Sequence, residues 1–152
     1  MEEQLQEKAV LVGLNITTNV KKIDDIDINE SMAELKELVK AAGAEVLASV
    51  IQNKPARDAA YFIGKGKVEE IRDYCHMLGA TMIVFNDELS GAHMRNIEDV
   101  TGLKVIDRTA LILDIFAQRA LSKEGKLQVE LAQLKYRLPR LYGMGGQMSR
   151  TG

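Results

Sequence analysis

Residues 8–14, KAVLVGL, form an almost unbroken apolar run with none of the alternation that a half-exposed strand shows. A run this short and this uniform predicts a strand covered on both faces, so helices must lie on either side of its sheet. The requirement recurs along the chain. AEVLASVIQ at 44–52, TMIVF at 81–85 and LKVID at 103–107 are further apolar runs of strand length. Between the first two, after a polar loop (Asn15 to Asp27), Met32, Leu35, Leu38, Val39 and Ala42 recur at helical intervals. Ser31 and Glu34 there have the spacing of a capping box, and Gly43 stands where a C-cap belongs. Asn53-Lys54-Pro55 breaks the second strand, and a short strand is predicted around Tyr61–Ile63. A helix near 67–78 carries Val68, Ile71, Cys75 and Leu78 and is closed by Gly79. Ser90 caps another that reaches about Val100, with Met94 and Ile97 on its apolar face and Gly102 at its end. Strands alternating with helices at this spacing predict an α/β fold, a small and mostly parallel sheet flanked by helices, over residues 1–108.

From Thr109 the pattern changes. Leu113, Phe116, Ala117 and Ala120 start an apolar seam that Leu127, Leu131, Leu134, Leu138 and Leu141 continue at steps of four and three. This predicts a long amphipathic helix over 109–142, about 45 Å if unbroken to Leu138, too long to lie across one small sheet. Gly125 weakens it and Pro139 should end or kink it. A leucine seam needs a second helix to face. The expectation is one arm of an antiparallel helical hairpin whose second arm lies beyond Gly152, with residues 143–152 as a glycine-rich loop at the hairpin tip. The competing expectation is a helix that packs on its own domain or on a second copy of the chain.

Charge divides the chain at the same place. Residues 1–118 hold 13 basic and 20 acidic side chains, a balance of −7, whereas residues 119–152 hold 7 and 2, a balance of +5. Such asymmetry points to a basic end that meets a polyanion, or else to a basic helix face that only keeps the helix solvated. The apolar and charged fractions, 46% and 28%, are those of a globular protein and not of a disordered one. The single cysteine excludes an internal disulfide, and no apolar run approaches the length of a membrane span. The acidic start, MEEQLQEK, is unlike a signal peptide, so a cytoplasmic location is expected.

Two places carry chemistry. Gly64, Lys65, Gly66 and Lys67 lead from a strand into a helix, where backbone N–H groups and the helix dipole hold phosphate. The third glycine of a dinucleotide fingerprint is replaced by Glu69, and no Ser or Thr follows the Gly-Lys pairs as in a P-loop. A tight turn explains both glycines equally. His76, His93 and Cys75 lack metal-ligand spacing, and Asp87-Glu88 at a strand end reads as helix-start residues. No residue is assigned to catalysis and none to a metal. The second place is the end of the chain, with four glycines in its last ten residues, Arg140 and Arg150 around them, and Met144, Gln147 and Met148 between them. Glycine lets a backbone approach a ligand closely, and arginine suits phosphate and base recognition, so this loop could probe a crevice in RNA.

The stretches DIFAQRA, EGKLQVELAQLKYRLPRL and GMGGQMSRTG, with FIGKGKVEEI and IVFNDELS upstream, resemble the N-terminal part of the HflX family of ribosome-associated GTPases. The resemblance covers nearly the whole chain and is most specific from Glu130 through the glycine loop. It implies an α/β subdomain, a two-helix hairpin and a separate GTPase domain that uses GTP and Mg²⁺. It also implies binding to the large (50S) ribosomal subunit and its rRNA, with ribosome splitting or rescue under stress. By match to the family motif, Arg140, Gly143, Gly145, Gly146, Ser149, Arg150 and Gly152 begin the RNA-reading tip. The P-loop, switch and guanine-specificity motifs are absent from these 152 residues, so no cofactor and no GTP hydrolysis are expected of them. A reading of a different class remains beside it: a stand-alone nucleotide-binding α/β protein that uses the Gly64–Lys67 turn and forms a homo-oligomer through helix 109–142.

Overall fold

The computed structural model describes residues 6–18, 27–120 and 122–151, and only the backbone of residues 139–151. Its strands are β1 (Lys8–Ile16), β2 (Glu45–Lys54), β3 (Met82–Phe85) and β4 (Lys104–Asp107), all parallel, in the spatial order β2-β1-β3-β4. The helices are α1 (Ile28–Ala41), α2 (Lys65–Leu78), α3 (Gly91–Thr101), α4 (Arg108–Arg119) and α5 (Lys123–Thr151).

The uniform apolarity of β1 has the expected cause. Ala9, Val10, Leu11 and Val12 are all completely buried, and successive side chains enter different cores. Val10, Val12 and Leu14 meet Ile83, Phe85 and Val105 under Val68, Ile71 and Cys75 of α2 and Ile97 of α3. Ala9 and Leu11 meet Met82 and Val84 under Met32, Leu35 and Val39 of α1 and Leu111 and Ile115 of α4. The α/β class and the parallel sheet flanked by helices therefore hold. Gly13 interrupts the run because α1 crosses closely there: a Cβ at that position would lie 2.6 Å from Met32 Sδ.

Gly79 and Gly102 close α2 and α3 in the left-handed conformation, as their spacing predicts. Ser90 caps α3, accepting from His93 N at 3.1 Å, while Ser90 N donates to His93 Nδ1 at 3.3 Å. The capping box expected at Ser31 and Glu34 is not one. Asp27 caps α1, accepting from Asn29 N at 3.1 Å, and leaves Ser31 and Glu34 free for tertiary contacts. Nor do Tyr61–Ile63 form a strand. Asp58 Oδ2 accepts from Ala60 N and Tyr61 N, and this turn lets Asp58 and Phe62 pair only with each other.

The long helix expected over 109–142 is two helices. The chain turns extended at Ala120, and Ser122 Oγ then accepts from Gly125 N at 2.9 Å, a new N-cap that makes the break inexpensive. Gly125 thus lies in the first turn of α5 and not in the middle of a longer helix. Pro139 falls inside α5, and the backbone of Gly143–Thr151 is helical where a loop was expected.

The helix α5 touches both α3 and α4, which lie on opposite faces of the sheet, so it crosses the β4 edge. Gln133 Nε2 donates to Asp114 Oδ1 at 3.1 Å, and the Tyr136 hydroxyl donates to Asp107 Oδ2. The leucine seam faces the other way: Leu127, Leu131, Leu134 and Leu138 are 46–57% exposed. Leu141 lies outside the described side chains.

Candidate functional site

Polar groups gather where the strands end and the next helices begin, the edge at which open parallel sheets place their ligands. Strand order reverses between β1 and β3, and the α1/α4 side of that crevice is filled from within. Arg108 Nη1 donates to Asn86 Oδ1 at 3.0 Å and Nη2 to Glu34 Oε2 at 2.9 Å, while Asn86 Nδ2 donates to Ser31 Oγ at 2.8 Å. One guanidinium therefore joins α1, the end of β3 and the start of α4. Beside it Asp107, fully buried, accepts from Leu89 N at 2.9 Å and Ala110 N at 3.0 Å as well as from Tyr136. Sequence reasoning missed this group. An Asp directly after an apolar strand and before a helical run is an N-cap signal that could have marked Asp107.

The Gly64–Lys67 turn lies on the other side. Gly64 is the N-cap of α2 without a side-chain cap, and its N–H donates to Gln52 Oε1 at 3.0 Å. A Cβ at Gly64 would come 3.6 Å from Lys54 Nζ, so Lys54, a residue sequence reasoning did not select, stands beside Lys65 and Lys67. Lys67 is itself paired with Glu70 at 3.4 Å. The turn is held by Phe62, whose φ of +65° is rare for an aromatic residue. Its buried ring meets Phe85 and His93 edge-on, with centroids 6.2 and 5.6 Å away, and the Arg57 guanidinium lies 5.7 Å from its centroid. The arrangement sets the start of α2, which lacks a side-chain cap, beside Lys54 and Lys65, a geometry able to hold an anion.

Asp87, half-buried at the end of β3, has its carboxyl raised above the usual range by desolvation, against the Leu14 N–H at 3.4 Å and the Arg57 charge. Among the described residues no three His, Cys, Asp or Glu side chains gather as a metal site. Cys75 is buried in the α2 core, and burial pushes its thiol up to about 11. An unfolded thiol ionises near pH ~8.5, so this group favours the folded state below that pH and progressively less as pH rises towards 11. Ellman's reagent at pH 8 should leave Cys75 untouched in the native chain and label it fully in urea; rapid native labelling would contradict the burial. The tip residues Arg140, Gly143, Gly145, Gly146, Ser149 and Arg150 lie on the last turns of α5, outside the described side chains, and Gly152 lies outside the described residues. Among the described residues no helix is long and apolar enough to cross a membrane.

Compared with known proteins, residues 29–117 match the family described as GTP-binding GTPase N-terminal, and residues 119–152 match GTP-binding GTPase Middle Region. The division between the two matches falls where α4 gives way to α5. GTPase HflX of Caldanaerobacter subterraneus subsp. tengcongensis is 51% identical over 97% of this chain and 32% of its own length. GTPase HflX of Escherichia coli is 45% identical over 89% of this chain and 30% of its own length. The chain spans about a third of the length of these curated relatives. Among solved structures, a GTP-binding protein from the hyperthermophilic archaeon Sulfolobus solfataricus in complex with GDP superposes with a TM-score of 0.67 at 26% identity, over 93% of this chain and 40% of that one. Fold and sequence agree, and the chain belongs to the HflX GTPase family, whose N-terminal and middle regions it carries.

Proposed function

We propose that this chain is the ribosome-binding module of an HflX-like GTPase, reading rRNA of the large subunit with the basic, glycine-rich end of α5. The observation that carries the reading is the +5 balance of residues 119–152, whose charges, Arg119 apart, all lie on the helix that the Gln133 and Tyr136 contacts fix to the domain edge. An end fixed on a stalk reaches into a crevice that a compact domain cannot enter. In the longer protein, GTP binding with Mg²⁺ and hydrolysis reside in a separate domain, and this module supplies the address, consistent with splitting or rescue of ribosomes under stress. Arginine contacts in RNA should each contribute about 1–3 kcal/mol, so Arg140→Ala and Arg150→Ala in the longer protein should each weaken large-subunit binding by roughly 5- to 150-fold. GTP binding should stay unchanged. Valine at both Gly145 and Gly146 should block entry without altering charge. Binding should also fall as salt rises, because cation release from RNA then favours the complex less. Co-sedimentation with large subunits over a salt series tests this, and wild-type pelleting by all three variants at every salt concentration would reject it.

The exposed leucines Leu127, Leu131, Leu134 and Leu138 are the seat of a second helix, the returning arm of the proposed hairpin. In the 152-residue chain a second copy takes that seat, so light scattering should detect self-association that Leu131→Glu with Leu134→Glu removes. Insensitivity to both changes would count against it.

The turn carries a narrower second reading, binding of a nucleotide phosphate at Gly64–Lys67, favoured by the uncapped start of α2 beside Lys54. A thermal-shift titration with ATP and GTP separates the two, since RNA reading by α5 predicts no stabilisation by either.

A further inference from the structure

The two edges of the sheet are treated differently. The helix α5 crosses the β4 edge, whereas β2, a ten-residue strand, is the other edge and pairs only with β1 among the described residues. Proteins usually blunt such an edge with charge, proline or a short strand. Here Val46–Asn53 contains no charged residue and no proline. Beside it a groove of about 600 Å³ runs along α2, and Tyr74 and Met77, 37% and 72% exposed, stand on its rim.

The backbone of β2 specifies what could pair with it. Lys54 O accepts from Thr17 N, so Lys54 turns its backbone groups towards β1. By alternation Gln52, Val50 and Ala48 do the same, and Ser49, Ile51 and Asn53 turn theirs outward. At the other end a bulge leaves Leu47 unpaired between the Ala9–Val46 and Val10–Ala48 pairs. Glu45 N donates to Glu7 O, so beyond the bulge Val46 faces outward.

We propose that two copies of this chain join β2 to β2, antiparallel about a two-fold axis at Val50, into one eight-stranded sheet. Outward groups must meet outward groups in an antiparallel ladder. Centring on Val50 satisfies this, because Ser49 of one copy meets Ile51 of the other and Asn53 meets Val46. The bulge, which would spoil most registers, absorbs the extra residue here and sets Lys54 opposite Glu45 of the second copy. Both side chains lie on the α2 side: Lys54 is near Gly64, and Glu45 alternates with Val46, which packs towards α1. The axis therefore repeats a Lys–Glu contact twice, and a second copy of this strand is the occupant whose charge fits. Val50 meets its own counterpart on the α2 side, next to the groove with Tyr74 and Met77. The α5 helices, at the far β4 edges, remain free.

Leu131→Glu with Leu134→Glu provides the background for the test, since it removes association through α5. Sedimentation equilibrium from micromolar to near-millimolar chain should then show the mass doubling. Amide exchange should slow with concentration at Ser49, Ile51 and Asn53 but not at Val50 or Gln52. Ser49→Pro removes an outward N–H that makes no bond to β1, so it should hold the chain monomeric with an unchanged melt. Lys54→Glu should weaken the dimer about five- to tenfold through two like-charge contacts, and adding Glu45→Lys should restore it. Should Ser49→Pro fail to fold, the charge swap and the exchange pattern decide. A strict monomer throughout, as expected if the edge takes a strand of another protein, overturns the proposal. So does a dimer indifferent to Lys54→Glu whose Ser49 and Ile51 amides exchange at a concentration-independent rate.

Discussion

Asp107→Ala is expected to lower the free energy of unfolding by about 3–5 kcal/mol, because one buried carboxylate serves three elements. Its oxygens accept from Ala110 N, capping α4, from Leu89 N before α3, and from the Tyr136 hydroxyl on α5. Alanine leaves two backbone donors without that partner, Leu89 N and the capped Ala110 N, at roughly 1–3 kcal/mol each when buried. At this chain length the melting temperature should fall on the order of 10 °C. Asp107→Asn keeps the shape and one accepting oxygen, so its loss should be about half as large. Tyr136→Phe removes a single hydroxyl and should cost about 1 kcal/mol, mainly by loosening α5. Urea denaturation followed by circular dichroism would measure all three, and an alanine loss below about 1 kcal/mol would show that the carboxylate is dispensable.

Phe62→Ala should cost about 3–5 kcal/mol, since the ring is buried against Phe85 and His93. Phe62→Gly removes even more, yet it should be the more stable of the two by about 1 kcal/mol. The backbone at Phe62 sits at φ +65°, where a Cβ is strained and glycine is not. Chemical denaturation of the pair isolates this difference from the lost packing they share. Equal stabilities, or a less stable glycine variant, would mean that the turn relaxes to negative φ once the ring has gone. The expected difference therefore requires that the Asp58 turn, and not the ring alone, holds the backbone of Phe62 at positive φ.

The layered core was readable from spacing alone. The run KAVLVGL requires cover on both faces, and the helical intervals of Met32, Leu35 and Val39 or of Val68, Ile71 and Cys75 supply it. Gly79, Ser90 and Gly102 mark helix ends because their backbone and capping preferences are local. Local signals failed where one residue had two uses. Ser31 and Glu34 have capping-box spacing, but Asp27 caps the helix and the Arg108 guanidinium claims both side chains from 74 or more residues away. The candidate site divides in the same manner. The glycines and lysines of the Gly64–Lys67 turn are visible in order along the chain, whereas Lys54, Gln52 and Phe62 join them only because β2 and the Asp58 turn fold back beside α2.

By itself, the sequence determined the α/β class, the positions of the four strands and the basic, leucine-bearing end, all of which follow from periodicities no longer than a helix turn. Tertiary structure alone decided which face of α5 meets the domain. The seam of Leu127, Leu131, Leu134 and Leu138 is the more apolar face, yet it is Gln133 and Tyr136 that dock, reaching Asp114 and the buried Asp107. Docking by Tyr136 adds a third donor to the buried Asp107, beside Leu89 N and Ala110 N. A hydrogen bond to a buried carboxyl group is worth more than covering leucines already half shielded from water.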